Sequence, residues 1–128
     1  MILIIGGMAQ GKLDYVLGQT GFTEKDVARD FENAKKRPVL YGLHDIIAEL
    51  IKDGRDPERE IEELIGVNPD IIVVCNELGC GVVPIDPFER LWRDSVGRVC
   101  CRLALNAQRV ERILCGLPLV LKGEGGWS

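Results

Sequence analysis

The run Ile71-Ile72-Val73-Val74-Cys75 limits this chain to few folds. Successive strand residues face opposite sides of a sheet, so a run with no polar member must be covered on both sides. That is the position of a central strand in a parallel sheet. Turn chemistry at Asn68-Pro69-Asp70 leads into it, and a glycine-broken loop, Asn76 to Pro84, leaves its carboxyl end. A second such run, Ile2-Leu3-Ile4-Ile5, is cut off by Gly6-Gly7 and followed by a short helix over Lys12–Gln19 that Gly21 ends.

Helical and strand patterns alternate through the rest. Thr23 and Asp26 stand at capping-box spacing, with Phe22 placed to staple onto Val27. They predict a helix whose face carries Val27, Ala28, Phe31 and Ala34, closed by Lys35-Lys36-Arg37 and Pro38. Val39-Leu40-Tyr41 reads as a short strand. Leu43, Ile46, Ile47, Leu50 and Ile51 mark an amphipathic helix ended by Gly54, and Asp56-Pro57 opens another that ends near Gly66. Asp86-Pro87-Phe88-Glu89 starts the longest helix, to about Gln108, with Phe88, Trp92, Val96, Val99, Leu103 and Ala107 on its apolar face. Val110–Cys115 and Leu119–Leu121 read as final strands around Gly116-Leu117-Pro118. The tail from Gly123 is expected to be loose, with Trp127 free to dock.

Gly6-Gly7-Met8-Ala9-Gln10-Gly11-Lys12-Leu13 carries the chemistry of the first strand's loop. Glycines let backbone N–H groups turn inward around phosphate oxygens, a lysine adds a point charge, and the following helix aims its positive end at the site. A hydroxyl after the lysine ligates Mg²⁺ in such loops, and Leu13 has none. The chain therefore reads as one α/β domain over residues 1–128. It is expected to be P-loop NTPase-like, a mostly parallel sheet with helices on both faces, with phosphate bound at the loop, GTP or ATP as the expected ligand, and the part of Mg²⁺ left open. Glu77, just past the central strand, stands where open α/β sheets gather ligands. Arg93 and Arg98, on the long helix, are substrate-binding candidates if that helix starts near the loop. Otherwise they belong to a solvated, ion-paired face.

Composition sets the remaining bounds. Hydrophobic residues make up 46%, enough for one core without a metal or disulfide staple. A net charge of -4 argues against a dedicated nucleic-acid binder. Met1–Ile5 is too short for a signal peptide and no apolar run reaches membrane-spanning length, so the expected location is the cytoplasm, away from membranes. Cys75, Cys80, Cys100, Cys101 and Cys115 form no CxxC pair and lie far in sequence from the single histidine, His44, so no metal site is expected. Reduced, structural cysteines are the favoured reading, with Cys80 in its glycine-rich loop the least typical. His44 is the only imidazole available for acid–base or covalent chemistry.

Asn76-Glu77-Leu78-Gly79-Cys80-Gly81-Val82-Val83-Pro84, then Arg93-Asp94, Gly97-Arg98, Asn106-Ala107 and Gly116 before Lys122, resemble the carboxyl half of the adenosylcobinamide kinase/adenosylcobinamide-phosphate guanylyltransferase family. The Gly6-Gly7 start resembles that family's GGxxSGKS loop. The resemblance implies a P-loop fold, a role in cobalamin nucleotide-loop assembly or salvage, a corrinoid partner and a homo-oligomer. It implies a kinase activity on adenosylcobinamide and GMP transfer through a guanylylated histidine. The chain departs from the pattern in three places. Gln10 and Leu13 replace the loop's serines, the stretch before Val39 is short and lacks the segment with the guanylylated histidine, and Tyr41 or Gly42 stands where the family has an acid. His44 does not match the guanylylated position. Three readings follow: a reduced kinase using Lys12 and Glu77, a non-catalytic nucleotide or corrinoid binder, and an oligomerisation scaffold.

Overall fold

The computed structural model describes residues 1–78 and 86–127. Gly79 to Pro84 of the glycine-rich loop, Cys80 among them, lies outside the described residues. Six strands form one sheet in the order β2-β3-β4-β1-β5-β6: β1 (Ile2–Gly6), β2 (Val27–Ala28), β3 (Val39–Tyr41), β4 (Ile72–Asn76), β5 (Arg109–Leu114) and β6 (Leu117–Lys122). Every pairing is parallel except β5 with β6, which is an antiparallel hairpin. The two runs singled out in the sequence are the two central strands, with Ile4 level with Val74.

Strand alternation divides the apolar side chains between two cores. Leu3, Leu40, Val73, Cys75 and Val110 face a layer built from α3 (Leu43–Lys52), α4 (Pro57–Val67) and α5 (Pro87–Asn106), which contributes Ile47, Leu64, Val99 and Leu103. Ile4, Val39, Val74 and Ile113 face the other side, where α1 (Lys12–Thr20) supplies Val16, with Leu13, Tyr15 and Leu17 packed around it. Helices thus cover both faces of a mostly parallel sheet, the P-loop NTPase-like arrangement, with α3, α4 and α5 on one face and α1 on the other. Asp56 and Asp86 cap α4 and α5 with proline in the first turn, as their spacing predicts.

The helix expected after Thr23 is not there. The Thr23–Asp26 capping box forms, but it closes a single 3₁₀ turn at Glu24–Asp26, after which Val27–Ala28 is an edge strand and only Phe31–Ala34 (α2) is helical. Val27 and Ala28 do not share a helical face: Val27 points into the α1 core and Ala28 into the opposite one. Pairing with β3 satisfies the backbone there, an alternative that a local pattern cannot register. The tail is also less loose than expected. Trp127 is docked, with its indole N–H on Glu111 at 2.6 Å.

Candidate nucleotide site

Parallel strands all end on one edge of the sheet, so the segments after β1, β3 and β4 converge there. The loop after β1 turns through Ala9 (φ 57°) and Gly11 (φ 80°), both left-handed, and delivers Lys12 into the first turn of α1. A non-glycine residue pays for that conformation with backbone strain, which marks Ala9 as a position held by its surroundings. Gly6 has no room for a side chain: a Cβ there would lie 2.6 Å from the Ile113 carbonyl oxygen of β5. The loop is also pinned sideways. Gln10 Oε1 accepts the Cys115 N–H at 2.6 Å, and the Gln10 carbonyl accepts the Gly116 N–H at 2.9 Å, joining the loop to the β5–β6 turn.

Lys12 is only 4% exposed, and its Nζ donates to the Gly7 carbonyl at 2.6 Å. Burial pulls its pKa below the usual lysine value, while Cys75 and Glu77 act in the opposite direction. Leu13 does not face the loop's hollow. It is packed against the α1 core, so the position that normally offers a hydroxyl offers packing instead.

Glu77 follows β4, and its N–H donates to the Gly6 carbonyl at 2.8 Å, stitching this segment to the start of the loop. Its carboxylate is paired with Arg112 of β5 at 2.9 Å. After β3, Gly42 (φ 87°) donates its N–H to Val74 and opens α3, placing His44 beside β4. His44 Nδ1 accepts the Asn76 N–H at 3.2 Å, and Trp92 of α5 donates its indole N–H to the His44 carbonyl at 2.7 Å. An imidazole whose Nδ1 accepts a hydrogen bond carries its proton on Nε2, which lies 3.6 Å from Asp45. Burial lowers the His44 pKa first of all, Asp45 opposes that, and the Lys12 charge lowers it further. The ring is thus a neutral bracket between β4 and α3, with no lone pair left for attack on phosphorus.

The start of α5 does lie against this edge, through Trp92. Arg93, next in the helix, pairs with Glu89 at 3.3 Å. Arg98 is elsewhere: its Nε holds Glu58 of α4 at 2.8 Å, a carboxylate shared with Arg102. Glu58 and Arg102 line a hollow with Met1, at the opposite end of β1 from the loop. The structure therefore gathers Lys12, Glu77 and the 6–13 segment at one edge and leaves Arg98 in an inter-helix ion pair. Spacing alone did not reveal the Gln10 latch or the Glu77–Arg112 pair, because each partner comes from β5 or the turn after it.

The usual magnesium ligands of such a loop are missing. Leu13 has no side-chain oxygen, Tyr41 and Gly42 carry no carboxylate, and Glu77 is paired with Arg112. That leaves Asp14 and Asp45, in the first turns of α1 and α3, as the carboxylates nearest the loop. Among the described residues, no group of three or more His, Cys, Asp or Glu side chains is placed to hold a metal ion.

A mostly parallel α/β sheet with a glycine–lysine loop at its carboxyl edge defines a P-loop NTPase-like protein. Residues 24–121 match the family described as cobinamide kinase / cobinamide phosphate guanyltransferase, and the chain belongs to that family. It is 42% identical over 71 residues to the bifunctional adenosylcobalamin biosynthesis protein CobP of Pseudomonas aeruginosa, a match covering 54% of this chain and 41% of that protein. It is 38% identical over 52 residues to the bifunctional adenosylcobalamin biosynthesis protein CobU of Salmonella typhimurium, covering 41% of this chain and 29% of that one. The matched stretches span less than half the length of either relative. Among the described residues no helix is long and apolar enough to cross a membrane.

Proposed function

We propose that this protein binds the phosphates of GTP or ATP along Gly6–Leu13 within cobalamin biosynthesis, as a nucleotide-binding protein that performs no guanylyl transfer. The observation that carries this reading is Lys12, a buried ammonium whose desolvation is only partly offset, held beside a glycine-rich turn. An arriving phosphate supplies the charge and acceptors that the Gly7 carbonyl only partly replaces. Glu77 stands beside the start of the loop through its N–H bond to Gly6, Arg93 is paired with Glu89 within α5, and Arg98 is assigned to the α4–α5 contact. His44 argues against a covalent GMP intermediate, since its Nδ1 is occupied by the Asn76 N–H and its ring is half-buried between α3 and β4.

Calorimetric titration with GTP and with ATP tests this, with and without Mg²⁺ and repeated with cobinamide present. Binding is expected to change by less than about threefold when Mg²⁺ is withdrawn, because the hydroxyl and strand acid that usually hold it are replaced by Leu13 and by Tyr41 or Gly42. Intact-mass measurement of the same samples is expected to show no GMP adduct. Absence of heat with both nucleotides removes the reading, and phosphorylated cobinamide among the products replaces it with the kinase.

The same reading includes a homo-oligomer formed through the β5–β6 hairpin. β6 is an edge strand, and Leu117, Leu119 and Leu121 on it are 70%, 57% and 54% exposed, beside Leu114 at 56%. Single-copy proteins rarely leave so many large apolar side chains together in water. Leu119→Lys is expected to shift sedimentation to the monomer while leaving the fold intact. A wild-type chain that already sediments as a monomer at high concentration would remove this part of the reading.

A further inference from the structure

Glu111 is fully buried in β5, on the face that α1 covers, level with Ile4. A carboxylate there must be matched by donors, and each comes from a different stretch of chain. Tyr15 of α1 donates its hydroxyl to Oε1 at 2.5 Å. Arg109, two residues earlier on β5, donates Nε to Oε2 at 2.7 Å, and Trp127 of the tail donates its indole N–H to the same oxygen at 2.6 Å. The Tyr15 and Trp127 rings meet edge to face, 5.9 Å between centroids. Arg109 directs its remaining nitrogens to tail carbonyls, Gly125 at 2.8 Å and Glu124 at 3.4 Å. Gly123 begins this crossing at φ 106°, where a Cβ would lie 3.1 Å from the Gln108 carbonyl.

A buried ionic network gains little stability over apolar packing of the same shape, but it fixes one arrangement of the parts that share it. Here those parts are β5, the tail and α1. Tyr15 stands one turn after Gly11, to whose carbonyl its own N–H is bonded at 3.0 Å. The hydroxyl on Glu111 therefore sets the rotation and height of α1, and α1 carries Lys12 and the amino end of the helix toward the loop. Burial first, and the Glu111 bond second, hold the Tyr15 hydroxyl above its usual pKa, so it stays a donor at neutral pH.

We infer that Tyr15, Glu111 and Trp127 form a strap that positions the phosphate-loop helix, so that docking of the 123–127 tail and occupancy of the loop support each other. As a statement about nucleotide affinity, this rests on the phosphate-binding reading above. Tyr15, Glu111 and Trp127 act through α1 and are positioning residues, not ligands.

Trp127→Phe keeps an aromatic ring near Tyr15 but removes the indole N–H together with part of the ring system, while Tyr15→Phe removes only the hydroxyl and is the cleaner deletion. Ile61→Val, in α4 on the other face of the sheet, serves as a variant that lowers stability without touching the strap. GTP affinity by calorimetry and hydrogen exchange of the amides of residues 6–20 are measured for the full chain, well below each unfolding midpoint. Both strap variants are expected to bind GTP about three- to tenfold more weakly and to exchange faster along α1, with Ile61→Val matching wild type in both. In wild type, GTP is expected to slow exchange around Trp127. Unchanged affinity and exchange in both strap variants overturn the inference, as does an equal loss in Ile61→Val. If wild type binds neither GTP nor ATP, the phosphate-binding reading fails and exchange alone decides the strap: faster exchange along α1 in the variants supports it, and unchanged exchange overturns it.

Discussion

Lys12→Met is expected to cut GTP and ATP affinity by about ten- to hundredfold, the loss that follows when a charged hydrogen-bond donor is removed, while leaving the melting temperature unchanged or raising it. The two effects have opposite signs because one group serves two states. In the free protein Lys12 is 4% exposed, and its ammonium bonds the Gly7 carbonyl. Holding a cation out of water costs several kcal/mol in principle, and a single carbonyl returns only about 1.5–3 kcal/mol of that. Methionine has nearly the same length, fills the same channel and removes the buried charge. Gly7 is only half-buried, so its carbonyl can turn to water. With nucleotide bound the balance reverses, because phosphate oxygens surround the ammonium and methionine offers them nothing. Calorimetry and thermal melting of one preparation test both halves. A variant that melts well below wild type yet binds GTP normally would show Lys12 to be a bolt for the Gly7 turn, and the nucleotide reading would fall.

The parts of this molecule legible in the sequence are those whose physics is local. Ile2–Ile5 and Ile71–Cys75 announce buried strands because nothing in them tolerates water, and the Asp-Pro pairs announce helix starts because capping acts within one turn. The Gly6–Leu13 loop belongs to the same class, its glycines and lysine being contiguous. β2 is different. Val27, Ala28, Phe31 and Ala34 suit a helical face, and only the partner strand at Val39–Leu40 makes two of them a strand. The arginine row of α5 was equally ambiguous: Arg98 became an ion-pair residue through Glu58, which is 40 positions away. The Glu111 network was hidden for a related reason. Arg109 and Glu111 alternate with Ile113 on one face of β5, which marks an inward-facing charged pair once the strand's register is known. Nothing in the sequence near Glu111 signals that Tyr15 and Trp127 will meet there.

Glu111→Leu is expected to destabilise the protein by about 3–5 kcal/mol, the cost of leaving a buried charge without its partner. Arg109 is 8% exposed and loses the carboxylate it pairs with, while the Tyr15 hydroxyl and the Trp127 indole N–H lose their acceptor in the same stroke. Leucine has about the right volume, so the loss comes from unsatisfied donors rather than from a cavity. The combination Glu111→Leu with Arg109→Met tests that attribution. It removes both charges and is expected to recover more than half of the deficit, since replacing a buried ion pair by packed apolar groups is often close to neutral. Urea unfolding of the single and double variants, compared at a common slope, measures both quantities. A cavity mechanism predicts that the double variant is worse than Glu111→Leu, because a second shape change is added. A single-variant cost under about 1 kcal/mol would mean that Arg109 regains water once Glu111 is gone. For that, the 123–127 tail that covers Arg109 with the Glu124 and Gly125 carbonyls must lift away. Proteolysis of the tail distinguishes the cases, because a lifted tail is cleaved readily and a strap that still holds through its carbonyl contacts is not.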